Sequence, residues 1–249
     1  MGWSMQYVKM TVAYDGTNYN GFQRQKNGVG VQQVLEKALS KTLHEEIKLV
    51  ASGRTDAGVH AWGQVISFAT NSTMPVVRIP LALGKRLPGD IVVLQVESVT
   101  ETFHARYGAR SKTYKYRILL NEVADPFERN YAWEIKGVLD VEAMQIAANY
   151  LLGQHDFTSF RNMGSVLRSP VRTITKAKWQ RKSKKELIFT ITGDGFLYRM
   201  VRNIVGCLVK VGKRELTPQE FQAILQAQER KRAGMSAPPQ GLYLYKVKY

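Results

Sequence analysis

Apolar and polar residues alternate along the chain in a pattern that predicts a mixed α+β fold. Residues 7–14 alternate and are rich in β-formers, which indicates a strand. Residues 31–43 carry apolar side chains at helical spacing, which indicates an amphipathic helix. The elements predicted for the first part of the chain are strands at 7–14, 47–52, 64–68 and 91–99 and helices at 31–43 and 79–87. Their order is β-α-β-β-α-β.

The remainder of the chain repeats this order of elements. Predicted there are strands at 113–120, 173–181, 186–192 and 241–249, a helix between Asp140 and Gly153, a helix at 196–211 and an inserted helix that begins at Thr217. Asp140 can cap its helix, and Thr217 is followed by Pro218 and, three residues on, by Glu220, a start signal for a helix. We therefore expect an α+β protein of two ferredoxin-like or RRM-like halves, residues 1–106 and 107–249, with mainly antiparallel sheets and a cleft between them.

The net positive charge of the chain indicates a polyanionic partner. The 249 residues include 36 Lys and Arg against 20 Asp and Glu, a net charge of +16. Residues 1–106 carry a net charge of +3 and residues 107–249 one of +13. Such an excess favours contacts with a nucleic-acid backbone, so we expect the second half to supply most of the RNA binding. The alternative is a basic surface that only confers solubility.

Several classes of protein and of site are not indicated. No segment is apolar and long enough to span a bilayer, and residues 1–12 lack the pattern of a secretion signal, so we expect a cytoplasmic protein. The lone Cys207 excludes an internal disulfide framework. Neither phosphate-binding glycine motifs nor an H-E-x-x-H motif occurs, and the four histidines are scattered. The sequence therefore predicts neither a cofactor nor a bound metal.

One short segment combines residues suited to chemistry. Residues 53–61 read Gly-Arg-Thr-Asp-Ala-Gly-Val-His-Ala and lie between two predicted strands. They present Asp56 beside Arg54 on a loop at the end of a sheet, where a carboxylate can meet a substrate. The alternative is an ordinary turn, because Asp-Ala-Gly is also a good turn sequence. Composition and spacing leave both interpretations open.

A series of segments, taken together and in this order, resembles the pseudouridine synthases. The similarity spans nearly the whole chain and is carried by residues 14–17, 21–23, 31–36, 53–61, 87–91, 103–106, 112–116, 153–157, 193–206 and 237–242. The resemblance implies isomerisation of a uridine inside an RNA chain: the C1′–N1 bond breaks, the uracil rotates and a C1′–C5 bond forms. It further implies a tRNA substrate modified at nucleotides 38, 39 and 40 of the anticodon stem-loop, a homodimer and no cofactor.

The same resemblance assigns a catalytic carboxylate and its partner. Asp56 matches the family's catalytic aspartate, which acts as a nucleophile on the base or the sugar or as a base that removes a sugar proton. Arg202 matches the arginine that keeps this carboxylate ionised, which is needed because burial alone raises the pKa of an aspartate. The alternative for Arg202 is a solvated position on the flank of an apolar helix.

Two further residues receive roles from the resemblance. Tyr114 matches the active-site tyrosine, whose ring can stack on a flipped uracil and whose hydroxyl can pass a proton. Its alternative is a strand tyrosine packed in the sheet, with Tyr116 on the same face. Arg54 is implied to fill the gap left by the extruded base and to bind phosphate. Its alternative is a turn arginine in a surface ion pair.

The remaining candidates receive no catalytic role. Asp15 is interpreted as a turn residue, although a second carboxylate loop would also suit hydrolysis of a glycosidic bond. His60 and His104 are left as structural or RNA-facing. The Arg181–Lys185 cluster is interpreted as a solvated hairpin tip, with phosphate contact as the alternative, and Cys207 as a core residue. The rival function for the whole chain is an RNA-binding module without catalysis.

Overall fold

The predicted mixed α+β class is confirmed. A computed structural model describes residues 5–162 and 169–249, which contain ten strands, paired mostly antiparallel, and five α-helices. The chain divides into two compact units. The first comprises Met1–Arg110 with Leu244–Tyr249, and the second comprises Ser111–Tyr243.

The first unit contains a sheet and the two helices predicted there, of which the second ends at Gly84 and is shorter than the expected 79–87. Its elements in chain order are β1 (Gln6–Tyr14), α1 (Val31–Leu43), β2 (Val50–Ala51), β3 (His60–Thr70), α2 (Ile79–Gly84) and β4 (Ile91–Val99). Strand β1 lies between β3 and β4 and is antiparallel to both, and β2 pairs with β3. Alternate residues of β1, among them Val8, Met10 and Val12, are completely buried, so the period-2 pattern defines the core face.

The second unit has the same combination of antiparallel strands and apolar helices. Its elements in chain order are β5 (Ser111–Leu120), β6 (Trp133–Ile135), α3 (Val141–Asn149), β7 (Gly153–Asp156), β8 (Val171–Arg181), β9 (Glu186–Gly193), α4 (Met200–Gly212), α5 (Pro218–Ala227) and β10 (Leu242–Lys248), whose last residues return to the first unit. Strands β5, β9, β8 and β7 lie side by side in that order and are antiparallel, while β6 is parallel to β5.

Both helix caps predicted in the second unit, Asp140 and Thr217, are confirmed. The Asp140 carboxylate accepts a hydrogen bond from the Ala143 N–H at 3.1 Å and caps α3. At α5, the Thr217 hydroxyl accepts from the Glu220 N–H at 3.2 Å, and the Glu220 carboxylate accepts from the Thr217 N–H at 2.7 Å. Each contact satisfies an amide that the first helical turn cannot pair internally.

Several predicted boundaries were wrong, each for a local reason. The helix expected over 196–211 begins at Met200, because Arg199 has a φ of 59° and lies outside helical geometry. The helix expected to reach Gly153 ends at Asn149 and is followed by hydrogen-bonded turns. The strand expected over 47–52 keeps only two paired residues.

The predicted boundary after Arg106 also differs from the observed division. The first unit continues to Arg110 and includes the C-terminal residues Leu244–Tyr249. Within this unit the Tyr249 hydroxyl donates to the Ala105 carbonyl at 2.7 Å, which ties the chain end to the segment before the boundary. Within the described residues, no helix combines the length and apolarity needed to cross a lipid bilayer.

Candidate active site

The loop between β2 and β3 presents its side chains in different directions. Arg54 is exposed, Thr55 is buried and Asp56 is half-buried. The Thr55 hydroxyl lies 2.8 Å from the hydroxyl of Tyr14, which is itself buried at the end of β1. This buried contact fixes the loop from the inside and leaves its two charged residues at the outer side.

A second loop, residues 15–23, packs directly on the backbone of the first. The Phe22 N–H donates to the Thr55 carbonyl at 3.1 Å, and the Gly58 N–H donates to the Tyr19 carbonyl at 3.3 Å. Gly21 has a φ of +87°, and a Cβ built on it would lie 2.6 Å from the Thr55 carbonyl oxygen. Only glycine satisfies both the conformation and the close approach. The backbone around Asp56 is thus held by this second loop.

Asp15 makes the local contacts expected of a turn residue. Its carboxylate accepts a hydrogen bond from the Thr17 N–H at 2.9 Å, and its own N–H donates to the Asp90 carbonyl at 2.9 Å. The next N–H, that of Gly16, donates to Nδ1 of His60 at 3.0 Å. His60 is only 2% exposed, so it serves the junction of the two loops from within the fold.

In the second unit, two tyrosines of β5 are buried two residues apart. Tyr114 faces the ring of Phe196 edge-on, with ring centroids 5.1 Å apart, and is 7% exposed. Tyr116 is fully buried, and its hydroxyl donates to the Pro238 carbonyl at 2.7 Å. Burial raises the pKa of Tyr116 well above its ordinary value, although the positive charge of Arg202 opposes the shift.

Arg202 is buried on α4, and the interpretation as a solvated flank was wrong. The residue is 8% exposed. Its Nε donates to the Ala237 carbonyl at 2.8 Å, and the Ala237 N–H donates back to the Arg202 carbonyl at 2.9 Å. The side chain and the backbone of Arg202 therefore both bind Ala237, and this holds the guanidinium in place.

The four predicted site residues are distributed over the two units. Arg54 and Asp56 share one loop of the first unit, whereas Tyr114 and Arg202 belong to β5 and α4 of the second. No sequence pattern could indicate that the backbone carbonyl of Ala237 accepts a hydrogen bond from Arg202, because any residue type offers that acceptor.

The basic cluster at residues 181–185 and Cys207 have the surroundings that the sequence predicted. Residues Arg181–Lys185 are exposed at the β8–β9 turn, as expected for a solvated hairpin tip. Cys207 is completely buried, and burial raises the pKa of its thiol to about 12. In the part of the chain that the structure describes, no group of three His, Cys, Asp or Glu side chains could hold a metal ion.

Comparison with known proteins decides the family. A sequence model described as tRNA pseudouridine synthase matches residues 10–108 and 147–249, more than half of the chain. The chain belongs to the tRNA pseudouridine synthase family. The resemblance drawn from the motifs is confirmed, and with it the predicted class of enzyme, an isomerase that acts on tRNA.

Relatives of this family match the chain end to end. The tRNA pseudouridine synthase A of Thermoanaerobacter sp. (strain X514) is 47% identical over 245 residues, which cover 98% of this chain and 100% of the relative. The protein of the same name from Moorella thermoacetica is 48% identical over 247 residues, with the same coverage. Among solved structures, a chain of a Cbf5-Nop10-Gar1 complex is 14% identical with a TM-score of 0.36, covering 72% of this chain and 40% of its own.

Proposed function

We propose that this protein isomerises uridine to pseudouridine at nucleotides 38, 39 and 40 of the tRNA anticodon stem-loop. The observation that carries the proposal is the Asp56 loop: its sequence matches the family's catalytic segment, and its backbone is held by Thr55, Tyr14 and Phe22. A carboxylate carried on a restrained backbone suits a reaction in which a single side chain must meet one atom of an extruded nucleotide.

The proposed reaction balances without any other reactant. The C1′–N1 bond of uridine breaks, the uracil turns, and C5 takes the place of N1 on C1′. The hydrogen on C5 is lost to water as a proton, and N1 gains a proton. Asp56 assists as a nucleophile on the base or the sugar, or as a base toward a sugar proton. Because no electrons or groups are exchanged with a second substrate, the proposal requires no cofactor.

Arg202 is proposed as the group that keeps Asp56 ionised in the enzyme–RNA complex. A carboxylate shielded from water has a raised pKa, and a guanidinium nearby favours the charged form. The burial of Arg202 supports this role, since a charged side chain is rarely fully buried unless an opposite charge or hydrogen bonds compensate it.

Tyr114 and Arg54 are proposed to contact the RNA. Tyr114 provides an aromatic surface and a hydroxyl for the flipped uracil, and its contact with Phe196 fixes the ring plane. Arg54 occupies the gap in the base stack or binds a phosphate, which its exposed position on the same loop as Asp56 supports.

The assembly is proposed to be a cytoplasmic homodimer that holds one tRNA across both subunits, each with two ferredoxin-like halves. The strand order of the first unit, β4-β1-β3 with β2 beside β3, supports this class for that half. Sedimentation equilibrium should give twice the chain mass of 28.2 kDa. A mass of one chain at micromolar concentration would contradict the dimer.

Nucleoside analysis of a treated tRNA transcript tests the proposed reaction. We expect pseudouridine at nucleotides 38, 39 and 40 wherever the transcript has uridine there, with the total base content unchanged. Free uracil and an abasic site would instead indicate a glycosidase. Unaltered uridine in a transcript that the protein binds would indicate an RNA-binding module without catalysis.

A further inference from the structure

A short segment after α5 runs in direct contact with α4. Residues 235–238, here called the strap, approach α4 at Gly206, where an added Cβ would collide with the Met235 carbonyl and lie 3.1 Å from the Ala237 nitrogen. The Ser236 hydroxyl also donates to the side-chain oxygen of Asn203, which is completely buried. The strap therefore has one defined position along the helix.

Arg202 is bound to the strap once through its backbone and once through its side chain, and the side-chain contact sets the direction of its Nε. Its Nε donates to the Ala237 carbonyl at 2.8 Å, while the Ala237 N–H donates to the Arg202 carbonyl at 2.9 Å. A guanidinium presents its donors in a rigid planar fork. With Nε directed to Ala237, the terminal Nη groups are the donors that can face a carboxylate.

Tyr116 binds the neighbouring carbonyl of the strap. Its hydroxyl donates to the Pro238 carbonyl at 2.7 Å, and its ring is fully buried. Gly241 packs on the same ring, because a Cβ built there would lie 2.6 Å from the ring carbon that carries the hydroxyl. The strap is thus fixed by α4 along one side and by the Tyr116 hydroxyl next to Ala237.

We propose that Tyr116 is a positioning residue: by binding the Pro238 carbonyl it holds Ala237, and through Ala237 it orients Arg202 for its role toward Asp56. Tyr116 itself touches neither the substrate nor the reacting atoms. The inference rests on the proposed function, because it requires that Arg202 keep Asp56 ionised.

Tyr116→Phe tests the inference, and Tyr243→Phe is its matched control. Tyr243 is 4% exposed, and its hydroxyl donates to the Tyr131 carbonyl at 2.6 Å. Each variant therefore loses one hydroxyl bonded to a backbone carbonyl, and Tyr243→Phe also loses an interaction with Arg117. For Tyr116→Phe we expect kcat to fall about tenfold, since small misplacements of a positioned group are costly. The KM for tRNA should stay unchanged, and Tyr243→Phe should alter neither constant.

The pH dependence of kcat separates positioning from a merely structural effect. In Tyr116→Phe the less well oriented Arg202 should be a poorer partner for the carboxylate of Asp56, so the acid limb of the kcat profile should be displaced from that of wild type. The charged residues closest to Arg202 along the chain or through a neighbour are Arg199, three residues before it, and Arg230, which donates to Asn203. Arg54 lies two residues from Asp56, and Asp15 and His60 contact each other at the junction of the two loops of that unit. All of these are unchanged in both variants. Each variant removes only its own tyrosine, and burial raises the pKa of Tyr116 well above its ordinary value, so this group is neutral at the acid limb.

A second variant changes the side of the contact that α4 provides to the strap. Gly206→Ala should press the Met235 carbonyl away from the helix and produce the same shift of the acid limb. If wild type forms pseudouridine and neither variant shifts the profile, the inference is wrong while the proposed function stands. Equal losses of kcat in Tyr116→Phe and Tyr243→Phe, without a shift, would also overturn it. Absence of pseudouridine with wild type would overturn both proposals.

Discussion

In the loop that carries Asp56, one residue attaches the loop to the core while its two charged neighbours remain partly or fully exposed. Thr55 is buried against Tyr14, whereas Asp56 is half-buried and Arg54 exposed. The buried contact restrains the loop backbone that carries Asp56 without using the carboxylate itself. A reaction that depends on one side chain gains from such fixation, since less freedom is lost when the substrate binds.

Replacing Gly21 should damage catalysis through this loop. In Gly21→Ala the new Cβ meets the Thr55 carbonyl, so the Asp56 backbone must shift, and we expect kcat to fall by about tenfold or more. Gly137→Ala is the control, because Gly137 has a similar φ of +83° and nothing within 4 Å of the new Cβ. Both variants carry a left-handed penalty on the order of 1 kcal/mol. Single-turnover rates measured with saturating enzyme should fall only for Gly21→Ala, and equal rates would contradict the buttressing role.

The sequence predicted candidate site residues at this scale but not the contacts that hold them. Asp56, Arg54, Tyr114 and Arg202 were found from motifs that resemble a known family. The burial of Arg202 could not be predicted, because helical spacing placed it off the apolar face and its acceptor is the backbone of Ala237, distant in sequence.

At the scale of elements, long helices and strands were predicted more accurately than short ones. Helix α1 and strand β4 match their predicted bounds because nine or more residues repeat one period. Strands β6 and β7 were missed because three or four residues are too few to show a period. Helix α4 was predicted to start too early, since the apolar residues Phe196 and Leu197 precede it without being helical.

Helix α5 offers a test of the capping box. Thr217→Ala removes the hydroxyl that accepts the Glu220 N–H, and we expect a loss of about 1 kcal/mol in unfolding free energy. For a chain of this length that corresponds to a drop in Tm of about 2–4 °C. Thr217→Ser keeps the acceptor and should retain most of the stability. A Tm for Thr217→Ala equal to wild type would contradict the assignment.

The same cap should weaken in acid. The Thr217 N–H, followed by its hydroxyl, donates to the Glu220 carboxylate and lowers the pKa of Glu220 below its ordinary value. A lowered folded-state pKa contributes stability above the unfolded pKa, and this contribution is lost as pH falls through the folded pKa. In urea titrations, Glu220→Gln should therefore differ from wild type at pH 7 and converge with it in acid. A difference independent of pH would contradict the ionised contact.

The whole molecule carries a net charge of +16, which bears on how it meets its substrate. Each phosphate neutralised by a basic side chain steepens the fall of RNA affinity with salt. The division of the chain into two units could be expected from the repeated order of elements. The return of the last residues to the first unit could not, because strand pairing between distant segments leaves no mark in a local pattern.

Salt dependence distinguishes a phosphate contact from a solvated charge. Arg54→Gln should make the slope of log affinity against log salt less steep by about 1, the contribution of one phosphate contact. The reason is that we propose a contact between Arg54 and the RNA. Lys184→Gln removes the same charge from the exposed hairpin tip and should leave the slope unchanged. Filter binding between 50 and 300 mM salt, roughly the range where backbone contacts weaken, is the measurement. Equal slopes for the two variants would contradict the role of Arg54.

Release of tritium from tRNA labelled at uridine C5 tests the central claim most directly, because moving the glycosidic bond to C5 must expel that hydrogen into water. Wild type and Asp56→Asn should be compared on a transcript with uridine at nucleotides 38, 39 and 40. We predict release by wild type, no release by Asp56→Asn, and similar tRNA affinity for both. Release by Asp56→Asn at the wild-type rate, or none by wild type on bound tRNA, would contradict the account.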